Sequence, residues 1–235
     1  MTIIYKNDTC KIKKLSSTYK FIFESGENFD NFYNKIKKNF IIENESKDKS
    51  FTIKAKKIES LSDLLKRKET LSYRHLKQLF LNIGKQLEGL ESDGYCNIFL
   101  NIDDIVRVEL DTKTQYGGSG TDIFFLYLNT KHFTPIKNNF TKILKPFNKN
   151  NKIISPEMKK VNSFPTEINI TSQYYSLALL VCLCGEWQKK PKSFKINYSI
   201  DTFREYLSNI DNTKLYWALL RCLEINPTDR VYIYI

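Results

Sequence analysis

Residues Tyr174 to Leu183 read YYSLALLVCL, and a helix over them is apolar on nearly all sides. Such a helix offers no face to water and belongs at the centre of a helical layer. Its unbroken apolar run, Leu177 to Leu183, is far shorter than the roughly 20 residues a membrane span needs. The N-terminus, MTIIYKNDTCKIKK, also lacks a signal-peptide core, so a soluble chain without a membrane span is expected.

Other helices should surround the apolar one. Ser72 can cap a helix in which Leu76, Leu79, Phe80, Ile83, Leu87 and Leu90 form one stripe, and Gly94 is placed to end it. Leu61, Leu64 and Leu65 open a shorter helix, and Phe203 to Leu207 and Leu215 to Leu223 read as two more.

The first part of the chain has a different rhythm. Lys20 to Glu24 and Phe51 to Ile58 are β-rich, and Phe29, Phe32, Tyr33, Ile36 and Phe40 recur at helical spacing over residues 28 to 40. Ile105 to Leu110 and Ile123 to Leu128 read as paired strands joined by the Gly-rich turn TQYGGSGT. The expected fold is α+β, with a small β-rich lobe over 1–58 and a mainly helical lobe over 59–235. Within the latter, the basic, Asn-rich and Pro-punctuated stretch 129–161 reads as a long surface loop.

The formal charge of +11 and pI near 9.3 favour acidic partners such as nucleic acid, anionic membrane or an acidic protein face. Much of this charge is lysine accompanied by Asn and Ile, a mix that an AT-rich genome also produces. Lys131, Lys137, Lys142, Lys145, Lys149 and Lys152 concentrate it in the loop, where Phe133, Phe140 and Phe147 serve either to stack on bases or to pin the loop down. The five cysteines form no C-x-x-C pair and only two histidines accompany them, so no zinc site is readable and a reducing compartment is expected.

Three short segments carry a resemblance. Ser155-Pro156-Glu157 is similar to the Ala-Pro-Glu motif that closes a protein-kinase activation segment. Tyr175-Ser176-Leu177-Ala178 is similar to the start of the kinase central helix, and Leu223 to Arg230 resembles the closing Leu-x-x-x-Pro-x-x-Arg element. In order and separation, the chain resembles a reduced two-lobed protein-kinase-like fold and uncharacterised kinase-like proteins of giant DNA viruses. That resemblance implies an ion pair between Glu157 and Arg230 and places the protein in a virion or host cytoplasm.

Phosphoryl transfer needs a Gly-rich loop and a Lys for the phosphates, Asp and Asn for metal, and a carboxylate for the incoming hydroxyl. Gly26 is the only glycine before residue 58, so no G-x-G-x-x-G loop exists. Lys20 stands near the kinase strand lysine, but the expected partner helix has no glutamate beyond Glu27.

Two registers fit the catalytic loop. In one, Asn97 to Ile105 replaces His-Arg-Asp-Leu-Lys-Pro-x-Asn-Ile, which puts Phe99 at the catalytic aspartate and Asp104 at the metal-binding asparagine. In the other, Asn97 to Leu100 ends the loop and Ser92 is catalytic, with Asp93 beside it. Asn129 replaces the Asp-Phe-Gly aspartate, and Gln173 stands where the central helix supplies an aspartate that anchors the loop, so that anchor is expected to be lost.

The resemblance therefore implies a pseudokinase, with no catalytic residue, no metal and no cofactor, acting as a scaffold for a protein partner with an acidic face. One alternative is an unorthodox serine/threonine kinase using ATP and magnesium, in which Asp93, Asp103, Asp104 or Asp111 replaces the missing carboxylates. Another is a basic nucleic-acid-binding protein.

Overall fold

In the computed structural model, residues 1–24, 33–36, 38, 40, 42–46, 49–111, 121–185 and 199–235 are described. Their elements run β1 (Thr2–Lys6), β2 (Cys10–Lys14), β3 (Thr18–Phe23), β4 (Asn44–Ser46), β5 (Ser50–Lys54), β6 (Lys57–Ser60), α1 (Leu61–Lys66) and α2 (Tyr73–Ser92). There follow β7 (Tyr95–Cys96), β8 (Ile105–Asp111), β9 (Thr121–Tyr127), β10 (Thr134–Pro135), β11 (Phe140–Ile143) and α3 (Pro156–Lys160). The chain continues through β12 (Thr166–Asn169), α4 (Ser172–Cys184), α5 (Ile200–Tyr206) and α6 (Lys214–Cys222). The fold is mixed α+β with antiparallel sheets.

Contacts gather the chain into two compact units, Met1–Glu69 with Ile102–Lys131, and Thr70–Asn101 with His132–Ile235. The boundary expected between 58 and 59 falls inside β6, which pairs with β8 through Lys57↔Glu109 to Ser60↔Val106. Glu59 in that strand binds Lys57 at 2.8 Å, Arg67 at 2.5 Å and Arg107 at 3.5 Å, tying β6, α1 and β8 together.

The first unit holds a five-stranded sheet in the order β1-β2-β3-β5-β4 and a three-stranded sheet β6-β8-β9. Alternation makes the larger sheet two-sided: Tyr19, Phe21 and Phe23 of β3 and Phe51 and Ile53 of β5 are buried on one face. Phe21 stacks on Phe51 with ring centroids 4.9 Å apart, and Tyr33, in the helical residues 33–36, meets Phe23 edge-on at 5.7 Å. Of the helix expected over 28–40, only these and two single residues lie among those described. The turn TQYGGSGT and Glu27 lie outside them as well, save for Thr121 at the start of β9.

In the second unit α4 packs against both α2 and α6. Nearly every residue of α4 is buried, in keeping with its all-round apolar sequence, whereas α2 buries one stripe, Leu76, Leu79, Phe80, Ile83, Leu87 and Leu90. Gly94 follows α2 with φ +83°, a backbone state that glycine adopts without Cβ strain, and its N–H closes on the Glu91 carbonyl at 2.9 Å.

The stretch 129–161, expected as a surface loop, contains β10, β11 and α3. β11 pairs with β12 from Phe140↔Asn169 to Ile143↔Thr166. Ile143, Ile154, Met158 and Val161 form a core with Cys96, Ile98, Ile168 and Ile170, against which Phe99, Phe147 and Phe164 pack. The apolar residues of this stretch stand singly or in pairs among Lys and Asn, which conceals this core from composition.

After α6 the segment Val231–Ile235 runs without helix or strand. The Tyr232 ring lies against Gly84 of α2, so close that a Cβ there would overlap it, and packs between Phe80 at 5.1 Å and Tyr174 at 5.3 Å. The segment thus closes on the helices and adds no strand. No described helix is long and apolar enough to cross a membrane.

Candidate functional site

The polar centre of the first unit is built by the β8–β9 pairing. Ile105 opens β8 opposite Tyr127 at the end of β9, so Asp104, just before β8, and Asn129, two residues after β9, are brought together. The Leu128 N–H donates to the Asp104 carbonyl at 2.9 Å and holds this end closed. Both side chains are buried, and Asn129 Nδ2 donates to Asp104 Oδ1 at 3.0 Å.

A third residue reaches the same oxygen. Asn7, in the turn between β1 and β2, donates from Nδ2 to Asp104 Oδ1 at 3.0 Å and meets the Tyr5 hydroxyl at 2.9 Å. Its own Oδ1 accepts the N–H groups of Thr9 and Cys10, which fixes the turn. Thr9 extends the link by donating to the Leu128 carbonyl at 2.9 Å and accepting the Thr130 N–H at 3.2 Å. Burial, and next the charge of Asp104, push the Tyr5 phenol well above its usual range, so it stays protonated.

One carboxylate oxygen thus receives two neutral amide donors. An amide N–H cannot ligate a cation, and the Asn129 carbonyl oxygen already accepts the Lys131 N–H at 3.0 Å. Asp103, in the same single turn, is exposed. Asp111 ends β8, and its side chain lies outside what is described. Among the described residues no group of three or more His, Cys, Asp and Glu is arranged to hold a metal.

In the second unit, Gln173 at the start of α4 accepts the Asn97 N–H on Oε1 at 3.0 Å, and its Nε2 donates to Glu91 of α2. The expectation that Gln173 forfeits the anchor is thereby corrected: an amide oxygen accepts the N–H that a carboxylate would. Burial raises the Glu91 pKa above its ordinary value, opposed by hydrogen bonds from Tyr174 and Gln173.

Asn97 is fully buried, and its Oδ1 accepts the Phe99 N–H at 3.2 Å. Phe99 packs at 5.3 Å from Phe147 and 5.9 Å from His132. Ser92 belongs to the end of α2, its hydroxyl donating to the Glu88 carbonyl at 2.9 Å, and Asp93 is the C-cap residue.

Arg230 and Glu157 form a two-point ion pair, Nη1 to Oε1 at 2.5 Å and Nη2 to Oε2 at 2.9 Å. The guanidinium also donates to the carbonyls of Glu224 and Ile225 and lies 4.7 Å over the Tyr175 ring, and Ser172 donates to the carboxylate. Burial alone would raise the Glu157 pKa, but the hydrogen bonds and charge of Arg230, helped by Ser172, hold it below its ordinary value.

Lys20 lies on β3 opposite Lys13 and Thr52, on the face away from the buried aromatics. Of the loop lysines, Lys131 pairs with Asp8 at 2.8 Å, Lys142 with Glu167 at 3.6 Å, and Lys149 donates to the Val161 carbonyl. Lys137, Lys145 and Lys152 are exposed. Phe147 is a packing residue that meets Phe99 and Phe164, while Phe140 is exposed on β11.

Sequence reasoning missed Asn7, Glu91 and Tyr232. Asn7 carried a local signal, an Asn in a short polar turn between β-rich runs, but nothing local tells that its amide reaches a residue near position 100. Compared with known families and with curated proteins, the chain matches no family model and no curated protein.

Proposed function

We propose that this chain is a catalytically inactive protein-kinase-like domain that serves as a protein-interaction module. The observation that carries the reading is the triad of Asn7, Asp104 and Asn129. In the first catalytic-loop register, Asp104 and Asn129 stand at the two metal-binding positions of a kinase, and the β1–β2 turn stands where a Gly-rich loop would cover the nucleotide phosphates. Here the turn's own Asn7 amide donates to Asp104, Asn129 donates to the same carboxylate oxygen, and the Asp8–Lys131 pair ties the turn to the same segment.

The first register is supported by the Asn97–Gln173 bond, which anchors the loop backbone from the apolar helix. It is supported too by Ser92 and Asp93, which belong to the end of α2. Phe99 then stands at the catalytic base, where its ring packs against Phe147 and has no proton acceptor of its own to offer a hydroxyl. Losing a positioned base costs about 100- to 10,000-fold in rate, and losing the electrostatic clamp on the phosphates costs further decades. The Glu157–Arg230 pair keeps the framework while the chemistry is absent, as a scaffold retained for contacts requires.

The test is a thermal-shift titration with ATP, with and without magnesium, beside a phosphoryl-transfer assay on a generic acceptor. A ligand at a hundred times its Kd raises stability by about 2.7 kcal/mol. No shift at millimolar nucleotide and no transfer are expected. A magnesium-dependent shift would overturn the inactive reading in favour of a kinase built on Asp104.

A further inference from the structure

The five-stranded sheet of the first unit has two chemically opposite faces. Directly paired residues share a face, and β1, β2, β3 and β5 pair Lys6 with Lys11, Lys13 with Lys20, and Thr18 with Lys54. Lys11 and Lys13 are two apart on β2, as Thr18 and Lys20 are on β3, so all five lysines project from the side opposite Phe21, Phe23 and Phe51. The one carboxylate within these five strands, Glu45, faces the other way: it pairs with Phe51 and accepts the Tyr33 hydroxyl at 3.1 Å.

From this arrangement we infer that the lysine face of the sheet binds the phosphate backbone of double-stranded nucleic acid. Among Lys6, Lys11, Lys13 and Lys20, neighbouring stems sit about 5 Å apart across strands and about 7 Å apart along them, and Lys54 lies diagonal to Lys20. Lys6 and Lys54 are exposed, and Lys11, Lys13 and Lys20 are half-buried along their stems. A face holding like charges at this density is strained by mutual repulsion, which a polyanion relieves.

The chemistry of the remaining side chains selects the ligand. These strands place no aromatic ring and no arginine on this face, so bases cannot be stacked and the planar fork that reads guanine is missing. Lysine engages phosphate as a point charge without regard to sequence. Among the described strand residues whose pairing fixes their side, the only large apolar side chains on the face are Ile3 and Ile22, too few for the desolvated centre of a protein interface. The surface is separate from the loop lysines, of which Lys131 and Lys142 are already paired with carboxylates, and it does not depend on the inactive-kinase reading.

The experiment is fluorescence anisotropy of a labelled random-sequence duplex with the intact protein, titrated in salt. Three to five phosphate contacts give a log–log slope of about −2.7 to −4.5, or roughly 40- to 500-fold weaker binding from 50 to 200 mM salt. The triple variant K11E/K13E/K20E should abolish binding, and K145E/K152E in the loop should leave it unchanged. If the triple variant fails to fold, K6Q/K54Q at the exposed positions should make the slope shallower by about 1.8. Duplex binding unaffected by these sheet variants, no binding at 50 mM salt, or tighter binding to polyglutamate or to phosphatidylserine vesicles than to the duplex would each overturn the assignment.

Discussion

The Arg230 guanidinium grips the Glu157 carboxylate at two points, with Nη–O distances of 2.5 and 2.9 Å, and gives its remaining hydrogen bonds to the carbonyls of Glu224 and Ile225. The carboxylate comes from α3 and the guanidinium from the segment after α6, so one contact closes the second unit across most of its length. The plane of the guanidinium is engaged as fully as its charge, since the ring of Tyr175 lies beneath it.

Replacing Arg230 by Ala should therefore cost about 3 to 5 kcal/mol in urea unfolding, because a partly buried carboxylate is stranded. Arg230→Lys should recover little of this, since an ammonium cannot reproduce the fork. The pH dependence follows from the lowered Glu157 pKa: the pair's contribution is present above the ordinary carboxylate value near 4.5 and is lost as pH falls below it. Glu157→Gln should flatten that acid limb.

Glu91 predicts the opposite limb. Burial raises its pKa, so the folded state favours the protonated acid, and the stabilisation is complete below the ordinary value and declines as pH rises past it. Glu91→Gln should melt at or above the parent temperature at pH 8 and show less dependence on pH above 5. A steeper decline in the variant would contradict the assignment.

Asn129→Asp places a second carboxylate against Asp104 in a buried site and removes an amide donor from it. The variant should lose roughly 1 to 3 kcal/mol at neutral pH, and one carboxylate of the pair should take up a proton more readily. Because its folded-state pKa is raised, the deficit should shrink as pH falls toward 4. Millimolar magnesium should restore part of the loss in the variant and leave the parent unchanged, as read by differential scanning fluorimetry.

Gly84→Ala in the middle of a helix ordinarily gains about 1 kcal/mol. Here the new methyl meets the Tyr232 ring, so a loss of about 1 to 3 kcal/mol is expected. In a Tyr232→Ala background the same substitution should turn stabilising, and a double-mutant cycle measures the coupling.

The legible part of the fold is the part written in strong periods. The α2 stripe, the all-round burial of α4 and the pairing of β8 with β9 follow from 3.6- and 2-residue patterns that no competing signal obscures. β11 is harder to read because its exposed positions carry Phe140 and Lys142 while Thr141 and Ile143 go inward, which blurs the apolar alternation. At the site, Glu157 and Arg230 were reached through short motifs, whereas Asn7 meets Asp104 only because two strand pairings bring them together. Gln173 shows a different limit: residue type suggested a lost anchor, but the loop backbone needs an acceptor and an amide oxygen supplies one.

The seat of Tyr232 on Gly84 also sets an order in time. Helix α2 leaves the ribosome long before residues 230 and 232, yet its Gly84 surface and the Glu157 carboxylate find their partners only when those residues emerge. Until then the nascent helical unit holds an open patch around Phe80 and Tyr174 and an unpaired acid, so its last step of folding waits on the late segment rather than proceeding as each helix is made.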